Sequence, residues 1–147
     1  MTIYNKTYAI ETGKESEQLS ISGIRVDYSE CKNGNPYNTV FFVEVVSGHF
    51  AGFSTFEYDI KEFVQFIYEI KELYDFKRKL VELDDICYGS KIQFSLNNLG
   101  HVCVSGILYG SAMIHSLKFE FDTDQTAFGS FCDALYRDFV TESNPAV

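Results

Sequence analysis

The chain has 147 residues, enough for one domain with a real core and too few for two independent ones. Hydrophobic residues at 46% and charged residues at 22% are ordinary globular composition, which excludes a disordered chain. A formal charge of −9, from 12 Lys+Arg against 21 Asp+Glu, disfavours binding to nucleic acid or anionic membrane; it keeps the domain soluble and steers basic partners toward it.

The aromatic content, 14 Phe and 10 Tyr with no Trp, suits a sheet-rich fold, because rings pack well on a pleated surface. The N-terminal MTIYNKTYAIETGKESEQ lacks the basic start and apolar stretch of a signal peptide, and no apolar run reaches the length of a membrane span. The expected compartment is therefore the cytosol, with Cys31, Cys87, Cys103 and Cys132 as free thiols.

In QLSISGIRVDYSE, Leu19 and Ile21 alternate with polar residues; Gly23 interrupts, and Ile24, Val26 and Tyr28 resume one residue out of phase, a bulge signal. CKNGNPYN reads as the turn that ends this strand. In TVFFVEVVS, Phe41, Val43 and Val45 share one face, and Phe42, Glu44 and Val46 the other. Ser47-Gly48 and Gly52 mark a hairpin bend, longer than the tight two-residue types, and its return strand points Phe56 and Tyr58 inward and Thr55 and Glu57 outward.

Asp59 then opens a helix, with Glu62 in capping-box register and Ile60, Phe63, Val64, Ile67, Ile70, Leu73 and Tyr74 on one face. Leu80 and Glu82 alternate ahead of an acidic turn at Asp84 and Asp85, and KIQFSL aligns Ile92, Phe94 and Leu96. The turn Asn97–Gly100 leads into HVCVSGILYG, where Val102 and Val104 alternate with polar residues and Gly106 suggests a second bulge. SLKFEFD places Leu117, Phe119 and Phe121 inward. A last helix carries Phe128, Phe131, Cys132, Leu135, Tyr136 and Phe139, with Thr123, Asp124 and Gln125 as capping candidates; the tail ESNPAV is expected to fray.

The pattern predicts one α+β domain over 1–147: a bent, mostly antiparallel sheet of about six to eight strands with two amphipathic helices packed on one face. The segments 39–75 and 101–140 share an order of Val-rich strand, return strand ending FEYD or FEFD, and helix. That order raises an internal duplication, although any strand-into-helix unit shares some of it.

Catalytic signatures are scarce. The cysteines show no C-x-x-C spacing, and His49, His101 and His115 fall in separate hairpins without metal-ligand spacing, so no metal and no cofactor is expected. Cys103 near His101 is the one imaginable nucleophile–base pair, yet a cysteine in a Val-rich strand reads first as a small core residue. Helices that begin after FEYD and FEFDTD would repel phosphate, so nucleotide binding is disfavoured.

Three blocks carry a family resemblance: G-H-V-x-V-x-G from Gly100 to Gly106, L-x-F-E-F-x-T-D-Q-T from Leu117 to Thr126, and V-E-V-x-S-G-x-F-x-G from Val43 to Gly52. Together they resemble the WapI-type immunity proteins over roughly residues 40 to 140, with D-Q-T the most specific part. The chain departs from that family where a bulky apolar residue would follow D-Q-T directly: Ala127 precedes Phe128, which leaves the helix start open.

The resemblance implies a non-enzymatic bacterial protein that binds and neutralises a cognate toxin domain, often a nuclease, by occlusion. Such interfaces diverge to match their toxins, so the resemblance transfers no binding residue. Charge and alternation alone nominate Glu44, Glu57 and Glu120 on the outward sheet face, with Glu82, Asp84 and Asp85 in the acidic loop, as partner-binding residues. The alternative is a small ligand-binding or hydrolase-like domain, which a deep pocket holding His101 or a buried carboxylate would favour. A homo-oligomer would be signalled by apolar residues such as Phe42 and Val46 clustering on the exposed face.

Overall fold

The computed structural model describes residues 1–12 and 17–141. Among them nine strands form two antiparallel sheets. The first holds β1 (Thr2–Tyr4), β2 (Tyr8–Glu11), β3 (Gln18–Val26), β4 (Thr39–Ser47) and β5 (Phe50–Tyr58), in order β1-β3-β4-β5, with β2 beside β1 on the same edge of β3. The second is a meander of β6 (Leu80–Asp84), β7 (Lys91–Leu96), β8 (Val102–Tyr109) and β9 (Ser116–Thr123). Helices α1 (Tyr28–Lys32), α2 (Ile60–Tyr74) and α3 (Gln125–Tyr136) follow β3, β5 and β9, and a π-turn (Arg137–Thr141) extends α3. This is an α+β fold with a bent, unclosed sheet. The expectation for the tail, 142–147, lies outside the described residues.

The alternation places the core as the sequence predicts. Leu19, Ile21, Ile24 and Val26 of β3 and Phe41, Val43 and Val45 of β4 are all fully buried. Gly23, at φ +61°, carries the bulge between Ser22 and Arg25 that keeps both halves of β3 facing inward. From the other sheet Val81, Leu83, Ile92, Phe94, Val102 and Val104 join them in a single apolar cluster, closed by the buried faces of α2 and α3. Phe63 of α2 meets Phe41 of the first sheet at 5.1 Å between ring centres, and Phe94 of the second meets Phe66 of α2 at 5.7 Å and Phe128 of α3 at 6.1 Å. One stack of rings therefore joins the layers.

Five details differ from the sequence reading. β1 and β2 raise the strand count to nine; both are short and half polar, and they gain order by pairing with β3. Tyr28 does not continue β3: Asp27 accepts hydrogen bonds from the Ser29 and Glu30 N–H groups at 3.1 and 3.2 Å and caps α1 there instead. The β4–β5 hairpin is a tight two-residue turn, since Ser47 pairs with Phe50 and Gly48 takes φ +60° at the first central position. Gly52 is no part of that bend; it pairs with Val45 inside β5. Gly106 makes no bulge, because register runs unbroken on both sides of β8; a Cβ there would lie 2.1 Å from the Lys91 carbonyl oxygen, so the residue serves a close backbone approach.

All three strand-to-helix junctions are capped by aspartate, Asp27, Asp59 and Asp124. Asp124 accepts the Ala127 N–H at 2.7 Å, which sets the start of α3 at Gln125. Gln125 in turn donates from Nε2 to the Gly100 carbonyl and ties that start to the β7–β8 turn. Asp59 accepts the Lys61 N–H at 3.0 Å, but its reciprocal partner is Asn38 rather than the expected Glu62. The buried Asn38 donates to Asp59 Oδ1 at 3.2 Å and accepts the Ile60 N–H at 2.8 Å.

Candidate protein-binding face

Helices cover the inner face of the two sheets, so the open face and its loops are what the fold offers to partners. Glu44 stands exposed on β4, between Ser20 of β3 and Phe53 of β5. Glu120 is exposed on β9, paired with Ser105. Glu57 is half-buried on the outer face of β5, where the strand loses its free edge to the segment after β6: its N–H donates to Asp85 Oδ1 at 2.9 Å and its carbonyl accepts the Ile86 N–H at 3.2 Å.

The predicted acidic loop is not one surface. Glu82 and Asp84 belong to β6, continuing its alternation, with Val81 and Leu83 turned into the core. Glu82 is engaged by Lys91 Nζ at 2.6 Å, and Asp84 pairs across the strands with the same lysine. Partial burial raises the Asp84 carboxyl above its ordinary pKa; Lys91 opposes that shift and Glu82 adds to it. Asp85 is buried and cannot meet a partner. Its carboxylate accepts the N–H groups of Glu57, Cys87 and Tyr88 at 2.9, 3.1 and 2.8 Å, which pins the β6–β7 loop to β5. Sequence adjacency grouped these three acids; strand phase and burial separate them.

Burial, reinforced by Glu120 and Asp122, pushes the Cys103 thiol up to about 11, far from thiolate at neutral pH. His101 sits exposed in the turn, its N–H bound to Asn97 Oδ1 at 3.0 Å. Cys87 is exposed, but hydrogen bonding to Glu57 raises its thiol as well. All four cysteines are free, and among the described residues no three His, Cys, Asp or Glu side chains are grouped to hold a metal ion. No helix there is long and apolar enough to cross a membrane.

What sequence reasoning missed is apolar. Where the two sheets meet, β5 runs against β9: a Cβ on Gly52 would lie 2.8 Å from Leu117 Cδ2, so the glycine admits the leucine side chain. Above this contact Phe50 is 71% exposed and Phe53 54% exposed, and both line a groove of about 300 Å³ with Leu117 on its other wall. The loop closing β8 onto β9 adds Met113 at 52% and Ile114 at 76% exposure. That loop holds Ala112 and Met113 at φ +56° and +58°, a left-handed conformation that costs non-glycine residues on the order of 1 kcal/mol each. On the outer face Phe53 packs against Phe42 at 5.3 Å, and Arg25 lies 5.8 Å over Phe42. Phe42, named above with Val46 as a mark of a homo-oligomer, is thus half-covered in a cluster with Phe53, while Val46 is half-buried opposite Ala51.

No family model, no curated protein and no solved structure matches this chain.

Proposed function

We propose that this chain is a non-enzymatic cytoplasmic binding protein that neutralises a basic toxin domain by covering it, as the resemblance of its D-Q-T and G-H-V-x-V-x-G blocks to WapI-type immunity proteins implies. The observation that carries the reading is the open seam between the sheets: exposed Phe50 and Phe53 in reach of outward Glu44 and Glu120, on a molecule of net charge −9. Desolvated aromatic anchors give an interface its affinity, and acidic neighbours speed its encounter with a basic active site. Nuclease active sites are basic because they hold phosphates, so an acidic cover is a physically sound inhibitor.

Co-expression with each candidate toxin domain encoded next to this chain's gene tests the reading. Growth is expected to be rescued, and the purified complex to form more slowly as salt is added. Candidate toxin domains that all stay lethal in the presence of the intact, folded chain would overturn the proposal.

A small-ligand site is the second reading. A hollow of about 730 Å³ on the open face of the second sheet favours it, lined by Lys91, Gln93, Ser105, Ile107, Lys118 and Glu120. His101 lies at the opposite end of β8 from this hollow, whose walls are open-face sheet side chains. The protein-binding reading therefore takes precedence.

A further inference from the structure

We infer that the groove between the β4–β5 hairpin and β9 is the docking seat for a basic protein segment that presents an apolar side chain, with Phe50, Phe53 and Leu117 gripping the anchor and Glu44 and Glu120 meeting the flanking cations. The inference rests on the toxin-binding reading above and assigns it a place and a partner chemistry. Two adjoining hollows, of about 300 and 430 Å³, share Phe50, Ser116 and Leu117, which makes one continuous cleft along β9. Its floor is fixed by the Gly52–Leu117 approach, since any larger residue at 52 would collide with that side chain.

The occupant follows from charge. Glu44 is the direct cross-strand neighbour of Phe53, and Glu120 lines the same hollow as Phe50. Lys118 is the one Lys or Arg side chain lining either hollow. A second copy of this chain would bring together two molecules that each carry a net charge of −9, which like-charge repulsion opposes. A segment carrying Lys or Arg around an apolar residue satisfies both the rings and the carboxylates.

The test uses the full chain and whichever toxin domain the co-expression experiment identifies as its partner, inactivated at its own catalytic residue, with binding measured at low and high salt. Phe50→Ser and Phe53→Ser are compared with Leu99→Ser, which removes an apolar residue more exposed than either (80%) from the β7–β8 turn. Phe50 stands clear of the core, so its variant is expected to keep the wild-type melting temperature. Each groove variant is expected to weaken the complex about tenfold or more, while Leu99→Ser leaves it unchanged. Glu44→Lys is expected to slow association several-fold and flatten its salt dependence. Wild-type binding that survives both phenylalanine changes overturns the placement and leaves the toxin-binding reading standing; absence of wild-type binding overturns both. A wild-type dimer in sedimentation that Phe50→Ser dissociates would assign the groove to a second copy and likewise overturn the inference.

Discussion

Asn38 accepts the buried Ile60 N–H at 2.8 Å and the Thr39 hydroxyl at 2.8 Å through one oxygen. It donates to the Asn35 carbonyl at 2.7 Å and to Asp59 at 3.2 Å through its nitrogen. Every polar atom of the side chain is used, and the first turn of α2 depends on it. Asn38→Ala leaves the Ile60 N–H buried without that partner, so a loss of about 2 kcal/mol is expected in urea unfolding, within the usual range for an orphaned buried donor. A loss below about 0.5 kcal/mol would mean that the cap is supplied from elsewhere. Nothing in NPYNT announces this role, because the sequence reads as a polar turn and its partner lies 21 or 22 positions downstream. Asp59 and Asp124, by contrast, were legible as caps, since a cap acts on its own next turn. Among the nominated surface acids, Glu44 and Glu120 stand exposed as alternation predicts, while Asp85 does not; a turn carboxylate that accepts three N–H groups looks the same in sequence as one facing solvent.

Strands and long helices were readable because their periods are local: two residues for β4 and β5, and between three and four for α2 and α3. Some errors were local, at the Asp27 cap and the β4–β5 turn, where two short-range patterns competed; others fell where geometry depends on a distant neighbour. Gly106 resembled a bulge glycine, but its requirement comes from Lys91 on the adjacent strand. The end of α2 holds a further feature without a sequence signal. Lys77 N–H donates to the Glu72 carbonyl at 2.8 Å and Phe76 N–H to the Leu73 carbonyl at 3.1 Å, the bonding of a Schellman motif. The left-handed residue in that motif is Phe76, at φ +61°, where glycine is usual. Phe76→Gly is expected to be more stable than Phe76→Ala by about 1 kcal/mol, because both remove the ring and only the first relieves the backbone. Equal melting temperatures for the pair would show that the helix end relaxes out of this conformation once the ring is gone.

At the scale of the molecule, the sheets predicted as one bent surface are two, joined by the β5 seam, and the segment carrying β1 and β2 is clasped to the π-turn after α3. Neither feature could be read in sequence, since each joins segments more than 50 residues apart: Ser54 Oγ donates to the Tyr109 carbonyl, and Tyr8 donates to Asp138 at 2.7 Å. Lys6 reaches the same carboxylate at 3.0 Å, and Phe139 beside it packs against Tyr4 at 4.6 Å and Tyr8 at 5.9 Å. Burial pushes the Asp138 carboxyl upward, but hydrogen bonds from Tyr8, Lys6 and Arg137 outweigh it and hold the group below the usual carboxylate range. The folded pKa thus lies under an unfolded value of about 3.9, so the clasp contributes fully above that pH and its contribution disappears as pH falls through the folded value. Asp138→Asn is accordingly expected to cost about 1–2 kcal/mol at pH 7, with the gap to wild type narrowing steadily below pH ~4. Urea titrations of both proteins at pH 7, 4 and 3 measure it, and because Asp27 and the other carboxylates are common to both, the difference isolates this one group. A gap that stays constant over that range would show that the clasp acts through packing of Phe139 and the tyrosines rather than through the charge of Asp138.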